Sequence, residues 1–374
     1  MQFSVIIPTH NRAATLRRVL AAYEAQEPRE LDFEVVVVDD GSTDGTAELL
    51  ASWRPDRYRL RFAVEPNRGP AAARNRALKL AAGALVLFTG DDVEPAPDLL
   101  HQHLAGHRER ADPAAAILGL TRWGEGAETT ATMRHVDGPG AQQFSYHYMA
   151  DGSEYDFRHL YTSNVSLARS LLDREPSYFS TDFPAAAFED AELGYRLSKH
   201  GLKIFYRAAA QAFHHHRYDA PGFFRRQRRC GEMAALLYRK FPELRHILDF
   251  EILAEERLAM LVEPLPEAIE PGGCLSERER RTLTLAGFFD ALPFEAADDL
   301  LLPLFRYAYL TGLAGALYRR PTAERLSSRL FAQLLDPALA RFEARLRREG
   351  LPYPRADLEA LRPATSNGGR RPAG

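Results

Sequence analysis

The chain is poor in cysteine: two in 374 residues, Cys230 and Cys274, far apart. That leaves no disulfide framework and no zinc-ligand spacing, and it suits a reducing, cytoplasmic compartment. Net charge is also small. Forty-eight Lys and Arg stand against 51 Asp and Glu, a formal charge of -3, so no nucleic-acid partner is expected. No run of about 20 uninterrupted apolar residues occurs. The nearest, 300–318, is broken by Pro303 and Arg306 and reads as buried helix. The opening Met1-Gln2-Phe3-Ser4-Val5-Ile6-Ile7-Pro8 is too short for a signal peptide and lacks a charged leader, so it reads as a first strand. A Gly-X-Gly-X-X-Gly after that strand is missing too, which removes the dinucleotide-binding oxidoreductases.

What is present supports a sizeable core. Hydrophobic residues make up 45% and charged residues 26%, and the length suits one and a half to two domains. Strand patterns at 3–7, 33–38, 60–64, 84–88 and 115–120 alternate with helical periodicity at 13–26, 44–53, 71–82 and 97–110. Strands that alternate with helices imply βαβ units and a mostly parallel sheet. Residues 122–160 lose periodicity and read as an acceptor-side insertion or flexible loop. A strand at 162–167, a helix at 188–200 and a strand at 202–206 follow, and from 221 to 362 the pattern is helical. The Gly/Pro/Arg tail, 363–374, is expected to be disordered. The expected domains are 1–240 and 241–362.

In a parallel sheet, ligands sit beyond the carboxyl ends of the strands. Three of these ends are polar: Thr9-His10-Asn11-Arg12, Asp39-Asp40 and Asp91-Asp92. Two adjacent carboxylates repel unless a cation lies between them, and a hard divalent ion with a diphosphate as co-ligand answers that need. A solvated turn or helix cap would give the same dipeptide. Segment 67–76 brings Arg68, Arg74 and Arg76 to a helix start among small residues, an arrangement suited to phosphate, or to a solvated basic turn. Glu189-Asp190 opens a helix. The helix dipole alone favours acids there, and a general base would stand there equally well. In His214-His215-His216, alternation points the outer two one way, where they could offer imidazole to a metal.

Together the segments Val-Ile-Ile-Pro-Thr-His-Asn-Arg, Val-Val-Asp-Asp-Gly-Ser-Thr-Asp, Asn-Arg-Gly-Pro-Ala-Ala-Ala-Arg-Asn, Phe-Thr-Gly-Asp-Asp-Val and Phe-Glu-Asp-Ala-Glu-Leu-Gly-Tyr-Arg-Leu resemble family 2 glycosyltransferases of the GT-A fold, over roughly residues 1–240. The resemblance implies an α/β nucleotide-diphospho-sugar transferase fold with a mostly parallel central sheet, followed here by a helical C-terminal region. It implies inverting, non-processive transfer from a UDP-, GDP- or dTDP-sugar, with Mn²⁺ or Mg²⁺, to a glycan or lipid-linked hydroxyl acceptor. Thr9, Arg12, Asp39, Asp40, Arg74 and Asp91 fall on the nucleotide-sugar side. Asp92 falls on the metal ligand, with His214 and His216 as further candidates. Asp190 falls on the catalytic base with Glu189 beside it, and Asn164 on the acceptor side. The chain departs from the family pattern in three places. Gly90 replaces the first acid of the Asp-X-Asp turn. Gln227-Arg228-Arg229-Cys230 lacks the Trp of the processive enzymes' motif. Phe183-Pro184-Ala185-Ala186-Ala187 replaces the usual Gly-rich stretch before the base.

Two rivals remain: a nucleotidyltransferase-like protein, for which the Gly-rich basic loop after strand one is missing, and a degenerate domain that only binds sugar nucleotides. Phe223 to Arg229 mixes aromatics with arginines. It suits either peripheral contact with an anionic membrane or a helix with one core face and one solvated face. The helical C-terminal region is expected to cover the catalytic domain, bind acceptor or mediate oligomer assembly.

Overall fold

The structure, a computed structural model, describes residues 1–124, 129–138, 140, 142–248, 287–288, 290, 294–318 and 320–351. The expected tail and much of the expected 241–362 region lie outside the described residues. The chain divides into two compact units, 1–129 with 137–217, and 130–136 with 218–374.

The first unit is built on strands covered on both faces. β1 (Phe3–Thr9) and β2 (Phe33–Asp40) are almost wholly buried, as their continuous Val/Ile runs require. β3 (Arg59–Glu65), β4 (Leu85–Thr89), β5 (Val93–Pro95), β6 (Ala115–Trp123), β7 (Glu154–Tyr155), β8 (Asn164–Ala168) and β9 (Lys203–His214) complete one sheet, in the order β3-β2-β1-β4-β8-β6-β9-β5 with β7 on β9. The first four strands in this order are mutually parallel. β8 then runs antiparallel to β4 and β6, β6 and β9 are parallel to each other, and β5 and β7 run antiparallel to β9, so the unbroken parallel block is the N-terminal one.

Helices pack on both faces. α1 (Ala13–Glu24) buries Leu16, Val19, Leu20 and Tyr23, the stripe its periodicity predicts. With α2 (Thr46–Ser52) it covers one face, built on Val5, Ile7, Val35 and Val37. α3 (Pro70–Leu80) covers the other, where Ile6, Val36 and Phe88 meet Ala73 and Ala77. α4 (Leu99–Arg110) returns to the first face. Of the following helices, α5 (Ala131–Asp137) lies almost entirely in the second unit, while α6 (Arg169–Leu172) and α7 (Glu189–Ser198) belong to the first.

The register sets the site. Thr9 lies opposite Asp39, and Asp40 opposite Glu65. Phe88 pairs with Ile6, so β4 runs out into Gly90-Asp91-Asp92 at the same edge. β9 extends well past the expected 202–206 and ends on His214. It pairs with β6 as far as Arg207↔Gly119 and resumes at Gln211↔Leu120. The residues between bulge out of the ladder, the usual device for re-aiming a strand.

The second unit holds α5, α8 (Ala220–Lys240), α9 (Phe294–Leu317), α10 (Arg320–Leu330) and α11 (Asp336–Glu349). α8 and α9 meet at paired glycines. A Cβ on Gly231 would lie 1.9 Å from the Tyr309 carbonyl oxygen, and one on Gly312 would lie 1.9 Å from that of Arg228. This contact groups α8 with the second unit, so the division falls at 217 where the sequence suggested 240. Phe223 and Phe224 point into the core, Phe223 edge-on to Phe305 at 4.7 Å, while Arg225 and Arg229 are exposed. The aromatic–basic stretch is therefore a helix with one packed face and one solvated face. Within α9, Ala297–Leu317 is long and apolar enough to cross a membrane by length and composition, with mean hydropathy 1.4, but 72% of its apolar window is buried inside the structure, as in a core helix.

Candidate active site

The strand ends converge as the sequence reading requires, and their side chains divide the work unevenly. Asp39 is fully buried. One oxygen accepts from the Ser42 amide at 2.9 Å, and the other has no hydrogen-bond partner. Asp40 is spent on the backbone: its two oxygens accept from the Arg68 and Gly69 amides, both at 2.8 Å. It thus pins the turn before α3. Gly41 permits this closure, with φ +75° and no room for a Cβ, which would meet the Asn67 amide nitrogen at 2.8 Å. Thr9 is buried beside Asp39. Asn11, also at positive φ, accepts from the Thr43 amide at 2.7 Å, and Asp44 accepts from the Ala13 amide at 2.9 Å. The rim of the site is therefore a cross-linked set of loops.

Asp91 and Asp92 sit beyond β4, both largely buried. Burial first, then the charge of Asp92, raises the Asp91 pKa to about 6. Asp92 meets the same desolvation, yet its pKa is driven well below the carboxylate range by His214, Arg12 and His216. His214 Nε2 lies 3.4 Å from one Asp92 oxygen and His216 Nδ1 3.8 Å from the other. Their rings lie nearly parallel, 5.7 Å apart, and Trp123 stacks on His214 at 5.4 Å. Nothing in the sequence spacing singles out Trp123; only the β6–β9 register brings it there. The Arg12 guanidinium contacts Asp92, lies 3.9 Å from Asp91 and donates to His216 Nδ1 at 3.4 Å. Among the described residues, no group of three or more His, Cys, Asp or Glu is arranged to hold a metal ion. The expected set of Asp92, His214 and His216 is thus brought together, but the positive charge facing it is that of Arg12. Gly90 fits this packing, because a Cβ there would lie 2.9 Å from Asp92 Oδ1.

The acids at the start of α7 are linked to α3. Arg74 and Glu189 are both buried and bond at 2.8 Å, with Arg74 over the Phe179 ring. Asn75 clasps the Phe179 backbone in both directions, at 2.8 and 2.9 Å. The Ala-Arg-Asn segment therefore holds the approach to α7, and the Arg74 charge, expected on the nucleotide, is directed at Glu189. One oxygen of Glu189 and the Nε of Arg74 keep no hydrogen-bond partner. Beside this pair, burial and then the Glu189 charge raise the Asp190 pKa to about 7. Phe188, at φ +65°, turns the chain into the helix.

Asn164 is placed differently from its expected acceptor-side role. Its amide donates to the Ala210 and Leu120 carbonyls at 2.9 and 3.3 Å, inside the β6–β9 bulge, and its oxygen accepts from His103 Nε2 at 2.8 Å. The Ser166 hydroxyl donates to His103 Nδ1 at 2.9 Å and accepts from His107 Nε2 at 2.8 Å. Burial lowers both histidines, to about 3 and about 4, so the chain is neutral and its polar atoms are satisfied. This is a buried support for the sheet.

Residues 4–172 match the family model for glycosyl transferase family 2. Validoxylamine A glucosyltransferase from Streptomyces hygroscopicus subsp. jinggangensis (strain 5008) is 35% identical over 224 residues, covering 54% of this chain and 52% of that protein. The chain thus spans about half the length of the first curated relatives it matches. Poly(ribitol-phosphate) beta-N-acetylglucosaminyltransferase TarS from Staphylococcus aureus (strain Mu50 / ATCC 700699) is 42% identical over 94 residues, 25% of this chain and 16% of that protein. The crystal structure of S. aureus TarS 1–349 in complex with UDP overlays with a TM-score of 0.48 at 21% identity, covering 86% of this chain and 93% of that one. The match to the family 2 model thus spans β1 to α6, with Thr9, Arg12, Asp39, Asp40, Arg74, Asp91 and Asp92 inside it and Asp190 and His214 beyond it.

Proposed function

We propose that the protein is an inverting glycosyltransferase that moves a sugar from a nucleotide-diphosphate donor to a hydroxyl acceptor, in glycan or cell-envelope polysaccharide synthesis. The observation that carries this reading is Asp190. It is a half-buried carboxyl of raised pKa beside a buried, charge-paired Glu189, in the same unit as the polar sheet edge. A carboxylate that titrates near neutrality is matched to taking a proton from an attacking hydroxyl. Thr9 and the unpartnered oxygen of Asp39 are the groups left to meet a nucleoside, since Asp40 is committed to backbone amides. Arg12 is the cation nearest the two acids and suits a diphosphate.

Asp92 is held ionised, with two imidazole nitrogens within 4 Å of its oxygens, so Asp92, His214 and His216 are the side chains that would hold a divalent ion once Arg12 is drawn to the diphosphate. A carboxylate with phosphate oxygens suits Mn²⁺ or Mg²⁺. When bound, that ion would offset negative charge on the leaving diphosphate. The small cysteine content supports a cytoplasmic setting.

Thermal shift with UDP-, GDP- and dTDP-sugars, with and without Mn²⁺, identifies the donor, because ligand binding raises apparent stability. Asp190→Asn should keep donor binding and lose roughly 10²–10⁴-fold in transfer rate, the range of general-base catalysis. Asp92→Ala should weaken Mn²⁺ and donor binding together. Undiminished transfer by Asp190→Asn removes the base assignment, and no shift with any sugar nucleotide removes the function.

A further inference from the structure

β3 is the outermost strand of the sheet, with β2 on one side and no strand on the other among the described residues. It stays in register with β2 over all seven residues. It contains no proline, glycine or bulge of the kind that blunts an exposed edge. Of the four large apolar side chains exposed among the described residues, two are here: Phe62 at 41% and Val64 at 53%. They are two apart and share one face. Arg61 could guard this edge, but its guanidinium folds back onto the buried Glu34 at 2.7 Å. Arg59 is exposed and forms no ion pair among the described residues.

We infer that this edge binds a second copy of the chain, with the two β3 strands antiparallel about a two-fold axis at Phe62. The strand Arg-Leu-Arg-Phe-Ala-Val-Glu is self-complementary about that point. Phe62 meets Phe62 of the second copy, Leu60 meets Val64, Arg61 meets Ala63, and Arg59 meets Glu65, which pairs with Arg76 of its own chain at 2.9 Å but is 36% exposed and can take a second arginine without leaving the first. A two-fold contact must be isologous in this sense, and directly opposed apolar and opposite-charge pairs are what stabilise antiparallel strands. A two-fold axis can move only in steps that keep the symmetry. Centred on Arg61, it opposes two arginines. Centred on Ala63, it leaves Arg59 without an opposing residue and needs Arg61 to leave Glu34. Strand addition at a free edge supplies backbone hydrogen bonds as well. Seven paired residues make a small interface, so association should be weak, in the micromolar range.

Sedimentation equilibrium of the full chain from about 1 to about 200 μM tests the inference in the range expected of a small interface. The mass should rise from 42.0 kDa toward twice that value. Phe62→Glu should hold the chain monomeric with Tm unchanged. Arg59→Glu should weaken the dimer at least several-fold, and adding Glu65→Arg together with Arg76→Glu, which keeps the pair between positions 65 and 76, should restore it. With Cys230 and Cys274 replaced by serine, Phe62→Cys should oxidise to a covalent dimer much faster than Val64→Cys, whose own partner is Leu60. A chain that stays monomeric throughout overturns the proposal, as does a dimer indifferent to Phe62→Glu. Equal cross-linking at the two positions overturns the register. If Phe62→Glu fails to fold, the charge exchange and the cross-linking still decide.

Discussion

At the scale of single residues, the two acids opening α7 pull stability in opposite directions. An aspartate in an unfolded chain titrates near 3.9, as short peptides do, and folding raises Asp190 to about 7 through burial and then the Glu189 charge. Folding therefore takes up a proton between those values. The associated stability is complete below about pH 4 and is lost as pH climbs to about 7. Asp190→Asn carries no charge to bury. Its Tm should match the parent at pH 4 and exceed it at pH 8, by an amount corresponding to about 1–2 kcal/mol after allowance for solvent screening. Glu189 acts through an ion pair instead, with Arg74 at 2.8 Å in a buried setting. Glu189→Gln leaves Arg74 buried and unmatched and should cost about 3–5 kcal/mol at neutral pH. Thermal melts of the two variants at pH 4 and 8 check both signs. A destabilised Asp190→Asn at pH 8 would mean its carboxylate is held by contacts that favour the charged form.

At the scale of elements, the parallel half of the sheet was legible because β1, β2 and β4 are apolar runs with polar ends, and a strand covered on both faces must read that way. The antiparallel insertion of β8 was not legible, since pairing partners depend on contacts between residues distant in sequence. For the same reason Asn164 looked like a site residue. Its commitments to Ala210, Leu120 and His103 arise only after β6, β8, β9 and α4 are assembled. Arg74 and Glu189 were both marked by composition, but their union, 115 residues apart, was not. The glycines of α9 separate local preference from packing. A Cβ added to Gly315 would meet nothing within 4 Å, whereas one on Gly312 would meet the Arg228 carbonyl at 1.9 Å. Alanine favours a helix over glycine by about 1 kcal/mol, so Gly315→Ala should raise Tm slightly. Gly312→Ala must push two helices apart and should lower stability by about 1–3 kcal/mol, the usual cost of overpacking. Equal effects from the two substitutions would contradict the close crossing of α8 and α9.

At the scale of the whole molecule, the polar groups assigned to chemistry, from Thr9 to His216, all fall in the first compact unit, and the glycine-tight helix pair falls in the second. The sequence located the first unit by its motifs, and located the second only as the absence of strand patterns. The boundary at 217 was hidden because α8 begins with the same aromatic and basic residues that a site helix would carry. Each unit has its own buried apolar set, Phe3 to Ala212 outside α5 in one, and α5 with Ala220 to Leu346 in the other, and multidomain chains need not unfold in one step. Differential scanning calorimetry should therefore resolve two transitions. A donor nucleotide with Mn²⁺ at 100 times its Kd adds about 2.7 kcal/mol to whatever binds it, so it should move the transition of the first unit alone. Gly312→Ala should move the other alone. If the ligand raises both transitions together, the second unit takes part in donor binding or unfolds with the first. If Gly312→Ala lowers the ligand-sensitive transition, the helical unit sustains the catalytic one, and the division at 217 is one of packing without thermodynamic independence.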